Sequence, residues 1–446
     1  MQKQLLVLMI AAGFALAGCG GGSSGASGGG ASLTSSSGSG TSSGGTTGSS
    51  GSGSGTGGSG SGGSGSGGSG GSGGGSAAKE TVLYSFGPNG SGDGAAPVGR
   101  LVMDGAGDLF GMTNTGGQNG TGSVFKITSS GTESILHSFA SASAVGSTDG
   151  TRPNGSLWID AQGDLFGTTP DGGTATNGTA FEINPAGTES ILYDFSNPSD
   201  GTQPVGGLIQ DASGNLYGST VFGGANGDGV VYSLSPGGQI TVLHVFAGGP
   251  ADGSQSSATL VRDAAGNLYG VTSAGGSSDQ GAVYEITAAG TEAVLHSFSG
   301  SPTDGSDPTG ALIIDSSGNL YGTTQSGGAN NTGTVFKISA TGTESVLYSF
   351  GPAGTSDGTT PTGRLVMDTS GNLFGTTFNG GGASNDGTVF ELSPSDQETV
   401  LHAFGSTSGD GIEPNGSLIM DASGNLYGVT KSGGANNTGT VFEITP

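Results

Sequence analysis

A ten-residue motif that recurs seven times constrains the fold of this chain more than any other feature. Its last copy runs from Asp421 to Thr430 and reads Asp-Ala-Ser-Gly-Asn-Leu-Tyr-Gly-Val-Thr. The earlier copies begin at Asp104, Asp160, Asp211, Asp263, Asp315 and Asp368, so that successive copies lie 51 to 56 residues apart. Self-similarity at such a period indicates a repeat architecture in which each copy is one supersecondary unit.

Each repeat predicts four short β-strands, as the unit around Asp315 illustrates. Its strands are expected at 312–315, 319–324, 333–338 and 344–350, where β-branched and aromatic residues dominate and Gly, Asn, Ser and Asp mark the turns. The Asp-x-x-Gly between the first two strands favours a type I turn followed by a left-handed Gly. No stretch has helical periodicity, so the sequence predicts an all-β domain.

The two ends of the repeat region indicate how the domain closes. Residues 80–86 form a lone fourth strand with no first three before it, and residues 439–444 form a third strand with no fourth after it. Together they complete a seventh unit, which is how β-propellers remove an open sheet edge. We therefore predict a seven-bladed β-propeller with four strands per blade over residues 80–446. An open repeat-β fold is the alternative, but it would need capping units.

The repeat region also resembles a known family. Its in-phase Gly-Asn-Leu-Tyr-Gly-x-Thr, Gly-Gly, Gly-Thr-Val-Phe-x-Ile and Val-Leu-x-Ser-Phe segments are similar to those of the choice-of-anchor tandem-repeat proteins with GloVer repeats, and the resemblance covers residues 80–446. It implies an extracytoplasmic propeller that is displayed by whichever anchor a member carries. The resemblance brings no established activity and no catalytic residues.

The N-terminus has the features of a lipoprotein signal. Lys3 precedes an uncharged apolar stretch at 5–17, which is too short to span a bilayer stably. Leu16-Ala17-Gly18-Cys19 resembles the bacterial lipobox, which implies removal of a signal peptide at 1–18 and lipidation of Cys19, the single cysteine. An ordinary signal peptide with an incidental cysteine is the alternative. Gly20 implies, by resemblance, sorting to the outer membrane of a two-membrane host.

The segment between the lipobox and the repeats predicts a spacer. Residues 19–79 are expected to comprise the lipidated Cys19 and a linker that is almost wholly Gly and Ser. Such a composition cannot form a core and is expected to stay disordered. A coil of this length spans roughly 40 Å. We expect a propeller that is tethered in the cell envelope, either periplasmic or surface-exposed.

All four histidines occupy one repeat position. They are His137, His244, His296 and His402. The other three repeats carry a tyrosine there, at Tyr84, Tyr193 and Tyr348. A position that accepts either ring selects a flat side chain with a polar tip, and four copies on different blades would be spread around the ring. We therefore interpret these histidines as structural and predict no metal site.

Two loops of every repeat are expected on the same face of the propeller. The loop between the second and third strands carries a Gly pair, which a tight turn explains better than phosphate binding because no helix N-terminus follows. The loop from the fourth strand to the next blade contains Asp-Gly, at Asp93, Asp149, Asp200, Asp252, Asp304, Asp357 and Asp410. Variable loops on a rigid scaffold usually carry binding sites. This face is our candidate surface, with the individual ligand-binding residues unknown.

The charge of the chain limits its partners. Its formal net charge is −25, with 34 acidic and 9 basic residues. Nucleic acid and anionic membrane surfaces are therefore excluded as expected partners, apart from attachment through the lipid on Cys19. We expect a monomer without a cofactor. Calcium stays open because Asp and Asn crowd several loops, although none has the ligand spacing of a calcium loop.

A few polar or aromatic residues break the repeat pattern and are the candidates for a site. They are Arg152, Trp158, Asp171, Asp194, Arg262, Asp307, Glu413 and Lys431. Trp158 lies in a first strand, where it could face the channel beside Arg152 and hold a sugar ring. A filled packing position and a surface charge are the alternative interpretation. Neither interpretation identifies a catalytic residue.

The sequence favours a binding protein over an enzyme. Near-identical blades without a concentration of polar outliers predict a lipid-anchored, extracytoplasmic, non-enzymatic scaffold whose partner is a polysaccharide or an envelope protein. The alternative is a hydrolase or lyase that acts on polysaccharide at the channel mouth, with acids such as Asp171, Asp307 and Glu413 converging on one bond. A third option is a structural spacer of the envelope.

Overall fold

The computed structural model describes residues 78–446 except 89, 91 and 142–147. The predicted signal peptide at 1–18, Cys19 and the linker through residue 77 lie outside the described residues. Within the described part, no helix is long and apolar enough to cross a membrane.

Seven antiparallel four-stranded sheets form the blades of a β-propeller, which confirms the predicted fold. The first strands are Gly94–Met103, Trp158–Ile159, Ile209–Gln210, Val261–Arg262, Ile313–Ile314, Val366–Met367 and Ile419–Met420. The second strands are Leu109–Gly116, Leu165–Thr169, Leu216–Ser219, Leu268–Thr272, Leu320–Thr324, Leu373–Gly380 and Leu426–Gly433. The third strands are Ser123–Ile127, Thr179–Ile183, Val230–Leu234, Ala282–Ile286, Thr334–Ile338, Thr388–Leu392 and Thr440–Thr445. The fourth strands are Glu133–Ser138, Glu189–Asp194, Ile240–Val245, Glu292–Ser297, Glu344–Ser349, Glu398–Ala403 and, for blade 7, Lys79–Ser85.

Short strands brace the loops on one face. They are Gly150–Thr151, Asp171–Gly172, Gly253–Ser254, Ala274–Gly275, Gly305–Ser306, Ser326–Gly327, Gly358–Pro361 and Gly411–Pro414. One 3-10 turn, Pro198–Asp200, is the only helical element among the described residues. Its N-cap Asn197 accepts a hydrogen bond from the Ser199 N–H, and Pro198 supplies the fixed φ that favours the first helical position.

The repeated Asp-x-x-Gly segment forms the predicted turn between the first and second strands. The Gly318 N–H donates to the Asp315 carbonyl, and Gly318 has a φ of 80°, which a residue without a Cβ adopts at little cost. The Asp315 carboxylate accepts hydrogen bonds from the Ser317 and Asn319 N–H groups. The aspartate of the repeat is thus a turn residue, as predicted.

A β-bulge between the third and fourth strands is present in all seven blades. In blade 5, Val335 pairs with Tyr348 and Phe336 with Val346, so that Leu347 has no partner. The extra residue lets Leu347 and Tyr348 both pack at the interface with the next blade. The alternation of apolar residues did not indicate this irregularity.

Every blade interface is built around a pair of aromatic rings. The Phe that follows each fourth strand packs edge-on against a Phe or Tyr in the third strand of the next blade, with ring centroids 5.1 to 5.3 Å apart. Phe350 and Phe390, for example, are fully buried. The core therefore lies between the blades.

The N-terminal strand closes the ring, as predicted. Lys79–Ser85 pairs antiparallel with Thr440–Thr445, so that the two ends of the described chain share one sheet. Phe86 in blade 7 then meets Phe125 in blade 1 at 5.1 Å, which matches the other interfaces. Closure leaves no blade without two neighbours.

Candidate functional site

The loops lie on two faces of the propeller, and the loop sequences differ clearly between blades on only one of these faces. On that face, each Gly-pair loop bonds to the Asp-Gly loop of its own blade, as where the Gly328 N–H donates to the Asp304 carbonyl. We call it the long-loop face. The opposite, short-turn face carries the Asp-x-x-Gly turns and the turns between third and fourth strands, which bond to each other through contacts such as Ala340 N–H to Asn319 Oδ1.

In five blades the Asp of the Asp-Gly loop accepts hydrogen bonds from backbone N–H groups of its own loop. Asp252 accepts hydrogen bonds from the N–H groups of Ala247 and Gly253, each at 2.7 Å. The same carboxylate lies 3.2 Å from the ring nitrogen of His244. Asp252, Asp304 and Asp410 are buried. These carboxylates are occupied by protein donors, which weakens the case for calcium on this face.

The His and Tyr side chains of the fourth strands lie at the blade interfaces. Each ring contacts the Asp of its loop, with shortest distances of 2.7 to 3.3 Å in all seven blades. A Glu from the next fourth strand joins six of these pairs: Glu80, Glu133, Glu189, Glu292, Glu344 and Glu398. Ile240 replaces it at the remaining interface. The repeat thus places two carboxyl groups beside six of the seven rings.

Four of these interfaces have the composition of a metal site. In each, one His and two carboxylates offer ligand atoms within 4.8 Å of one another, as in His244, Asp252 and Glu292. Yet Glu133 and Glu398 occupy the same place beside tyrosines, which are not typical ligands of this kind of site. Since the arrangement recurs without the histidine, we keep the interpretation that the four histidines are structural.

The interface glutamates hold their protons unusually well. The Oε1 atom of each of the six is buried and has no hydrogen-bond partner in the described part of the chain. Burial, reinforced by the nearby Asp93, raises the pKa of Glu133 from 4.5 to about 7. Burial and the nearby Asp357 do the same for Glu398. A protonated Glu carries no charge to repel the adjacent Asp, which explains how two carboxyl groups share one small space.

A ring of left-handed residues surrounds the channel on the long-loop face. Its seven members occupy one repeat position and have φ between 51° and 63°, although none is Gly. They are Ala96, Arg152, Gln203, Gln255, Asp307, Thr360 and Glu413. We call them the mouth ring. Each donates its N–H to a carbonyl of the preceding blade at 2.7 to 3.0 Å, which holds this unusual backbone in place.

The side chains of the mouth ring differ in chemistry from blade to blade, whereas their backbone conformation is the same. Its side chains include a cation, two carboxylates, two amides, a hydroxyl and a methyl. A second varied position adjoins it at the end of each second strand, with Asn114, Pro170, Val221, Ser273, Gln325, Phe378 and Lys431. Because the surrounding repeat is nearly constant, these two positions per blade account for much of the variation on this face.

The structure gathers five of the eight sequence-predicted candidates at this mouth. Arg152 donates to Asp171 Oδ2 at 3.0 and 2.7 Å. Lys431 lies 3.8 Å from Glu413. Asp307 makes no ion pair or side-chain hydrogen bond with any described residue, and burial raises its pKa. Of the three acids of the enzyme hypothesis, two are therefore held by cations.

The other three candidates have structural roles or lie elsewhere. Trp158 packs at an interface beside Phe166 and Leu216, so that the alternative of a filled packing position applies. Arg262 is exposed on the short-turn face, above the ring of Tyr217. Asp194 accepts hydrogen bonds from Thr174 in a Gly-pair loop.

Just inside the mouth ring, a collar of small residues lets the first strands of neighbouring blades approach each other closely. Three residues after each ring member stands a Gly, or Ala258 in blade 4, that faces the next blade. A Cβ added to Gly416 would lie 2.2 Å from the Gly99 carbonyl oxygen, and one added to Gly99 would lie 1.9 Å from that of Gly155. At the six glycine positions a Cβ would clash with the next blade, so the absence of a side chain there allows the first strands to approach so closely.

The residue after the collar faces the channel, and here the sequence analysis missed two candidates. The neighbouring Leu101 and Leu365 point into the blade cores, so alternation directs Arg100 and Arg364 to the axis. The other blades have Ser156, Gly207, Thr259, Ala311 and Ser417 at this position. Aligning the repeats at the collar, rather than at the Asp motif, would have revealed both arginines.

The channel environment lowers the pKa of both arginines. Burial lowers the pKa of Arg100. Burial, followed by repulsion from Arg100, lowers the pKa of Arg364 to about 10. Both side chains nevertheless remain partly exposed, as expected of residues that line a channel. At neutral pH they are two like charges close together in a confined space.

Solved structures with a similar fold have varied functions. Virginiamycin B lyase from Staphylococcus aureus aligns with a TM-score of 0.53 and 13% identity, over 83% of this chain and 99% of that one. The extracellular domain of a protein described as a hybrid two-component system from B. thetaiotaomicron aligns with a TM-score of 0.51 and 14% identity, over 79% of this chain and 39% of that one. At this identity the likeness shows the fold alone.

Comparison at the level of sequence is more specific. No curated protein matches the chain. The profile of the Gloeobacter/Verrucomicrobia repeat matches at residues 31–213, 152–381 and 356–446, which together span the propeller. The chain therefore belongs to the Gloeobacter/Verrucomicrobia repeat family.

Proposed function

We propose that this protein is a non-enzymatic binding propeller, displayed outside the cytoplasm by a lipid on Cys19, whose ligand is a polysaccharide of the cell envelope or its surroundings. The mouth ring is the observation that carries the proposal. Seven varied side chains stand on one rigid backbone position around a channel, while the blades beneath them hardly differ. Variation restricted to a rigid rim is typical of recognition surfaces.

The chemistry of the mouth ring suits a ligand rich in hydroxyl groups. Gln203, Gln255 and Thr360 offer neutral donors and acceptors, and Asp307 offers a carboxylate that no described side chain occupies. Such groups can donate hydrogen bonds to sugar hydroxyls or accept hydrogen bonds from them. Placement outside the cytoplasm rests on the resemblance of the segment around Cys19 to a lipobox, and the extracellular domain with a similar fold is in keeping with it.

A second candidate function is cleavage of polysaccharide at the channel mouth. The raised pKa of Asp307 favours it, because a half-buried carboxyl without a partner can serve as a general acid. A two-carboxylate mechanism would still need another acid, and Asp171 and Glu413 are held by Arg152 and Lys431. Binding without cleavage therefore has the stronger support.

The proposal is tested by incubating the full chain with immobilised dextran, chitin, polygalacturonate and peptidoglycan sacculi. Retained protein and released reducing ends are measured together, with calcium and with a chelator. We expect retention without released ends, unaffected by the chelator. Cleavage that the Asp307→Asn variant abolishes would replace the proposal with the enzyme, and retention that requires calcium would restore a metal role for the acidic loops.

A further inference from the structure

The basic residues of the propeller divide into two groups. Five of them lie against a carboxylate or an aromatic ring: Lys126, Arg152, Arg262, Lys337 and Lys431. Arg100 and Arg364 do neither with any described residue. Exposed Lys79 also makes neither contact, so Arg100 and Arg364 are the two half-buried cations of the described chain that lie against neither a carboxylate nor an aromatic ring.

Placing Arg100 and Arg364 in one channel lowers the stability of the fold unless another group offsets their repulsion. Two like charges in a confined site repel each other, and protein stability would favour their replacement or a carboxylate between them. A guanidinium has five N–H donors. Arg364 uses Nε to donate to the Leu312 carbonyl at 3.1 Å, and no described residue accepts from the Arg100 side chain. Most N–H donors of both groups are therefore without an acceptor among the described residues.

Serine hydroxyls extend these donors into an arc on one side of the channel. Ser417 in blade 7 stands between Arg364 in blade 6 and Arg100 in blade 1, and Ser156 follows in blade 2. The Oγ atoms of Ser417 and Ser156 accept the backbone N–H of Arg364 at 2.9 Å and of Arg100 at 3.1 Å. Each hydroxyl proton is then left to donate. On the other side, Gly207, Thr259 and Ala311 are small and leave space.

We propose that the arc of Arg364, Ser417, Arg100 and Ser156 is a binding site for an oxyanion, namely a carboxylate, phosphate or sulfate group. The inference rests on the proposed function, because it names the part of the ligand that enters the channel. Planar and tetrahedral oxyanions match the paired donors of a guanidinium. A bound anion would also remove the repulsion between the two arginines.

The rest of the molecule restricts the size of this anion. The net charge of −25 repels a long polyanion from the surface, whereas a site inside the channel can attract one small group. At the collar just above the arginines, the first strands of neighbouring blades approach each other closely, which suits a small ligand better than a bulky one. The site is therefore suited to a free small anion or to the acidic group of a terminal sugar.

The experiment measures binding of inorganic phosphate, D-glucuronate and uncharged D-glucose to the full chain by calorimetry at low salt. The variants are Arg100→Gln, Arg364→Gln and both together, with Arg262→Gln on the short-turn face as the matched control. We expect phosphate or glucuronate to bind and glucose not to bind. Each channel variant should weaken the affinity about tenfold or more, and the control should leave it unchanged.

Thermal stability without added anion separates a ligand site from a structural one. If the arginines repel each other in the empty channel, Arg100→Gln leaves the melting temperature unchanged or raises it. A clear fall in melting temperature in both single variants, or anion binding that persists in the double variant, would overturn the inference.

The outcomes for this site and for the proposed function can be told apart. Retention on polysaccharides that is unaffected in the double variant, together with no binding of phosphate or D-glucuronate by the wild type, would leave the proposed function standing and refute the anion site. Anion binding by the wild type that the double variant loses, together with no retention on any polysaccharide, would support the anion site and contradict the polysaccharide. D-glucuronate and phosphate as separate probes distinguish a sugar acid from a free inorganic anion.

Discussion

At the scale of single residues, the same repeat position can serve the scaffold in one blade and a site in another. The Asp of each Asp-Gly loop contacts the His or Tyr of the fourth strand in all seven copies, and the sequence alone predicted a structural role for that His or Tyr. The mouth ring and the channel position behave differently, because their side chains change while their backbone stays fixed. Arg100 and Arg364 could not be predicted as neighbours, since only the closed ring brings blades 1 and 6 to either side of Ser417.

The interface glutamates predict an unusual dependence of stability on pH. A carboxyl group with a raised pKa in the folded state contributes stability below about pH 4.5 and loses it as the pH rises towards about 7. The melting temperature should therefore fall between pH 5 and pH 8. The Glu133→Gln and Glu398→Gln double variant should show a smaller fall in thermal scans, because neither site can then ionise.

Exposed Asp396 provides the control for this experiment, since Asp396→Asn changes one charge on a turn away from any interface. A double variant with the same pH dependence as the wild type would contradict the claim that the raised pKa values of Glu133 and Glu398 cause the fall. Below about pH 4 the opposite trend is expected. Against the effect of burial, hydrogen bonds from His244 and the Ala247 N–H lower the pKa of Asp252, and its stabilising charge is lost on acidification.

Truncation of one scaffold residue and one mouth residue should have different effects. Leu320 is buried at a blade interface, so Leu320→Ala should cost about 2–5 kcal/mol of unfolding free energy. Arg152→Ala removes an exposed ion pair, which contributes roughly 1 kcal/mol or less. Ala96 already occupies the same left-handed position, so alanine is tolerated there. Chemical denaturation measures both, and equal losses would contradict the division between scaffold and site.

At the scale of strands and blades, most of the fold could be predicted from the sequence. The strand expected at 344–350 is observed as Glu344–Ser349, and the lone strand expected at 80–86 as Lys79–Ser85. Apolar alternation and turn residues suffice for this because they are local. The bulge opposite Val335 and Phe336 escaped prediction, since an extra residue in one strand is defined only by its partner strand.

Because the ring is closed, we expect the interface made by the N-terminal strand to contribute as much to the unfolding free energy as any other blade interface. Phe86 meets Phe125 at 5.1 Å and Phe350 meets Phe390 at 5.2 Å, and both phenylalanines are fully buried. Phe86→Ala and Phe350→Ala should each cost about 3–5 kcal/mol of unfolding free energy. Denaturant titration compares them directly. A harmless Phe86→Ala beside a damaging Phe350→Ala would show that the chain ends do not seal the propeller.

At the scale of the whole molecule, the propeller separates a uniform face from a varied one. The short-turn face repeats nearly the same turns seven times, and the long-loop face carries the mouth ring, the collar and the channel arginines. The sequence predicted which face would vary but not which residues of it would meet. Asp171, Asp307 and Glu413 share the mouth, but Asp171 and Glu413 lie against Arg152 and Lys431 there, which their spacing in the sequence does not indicate.

The most direct test of this account compares the two faces for retention on dextran, chitin, polygalacturonate and peptidoglycan sacculi. One triple variant, Gln203→Ala, Gln255→Ala and Thr360→Ala, alters the mouth ring. The other, Gln162→Ala, Ser317→Ala and Ser423→Ala, alters exposed turn residues of the short-turn face. We predict that the mouth-ring variant loses at least about tenfold in affinity while the turn variant binds like the wild type. Loss in the turn variant with full binding by the mouth-ring variant would contradict the account.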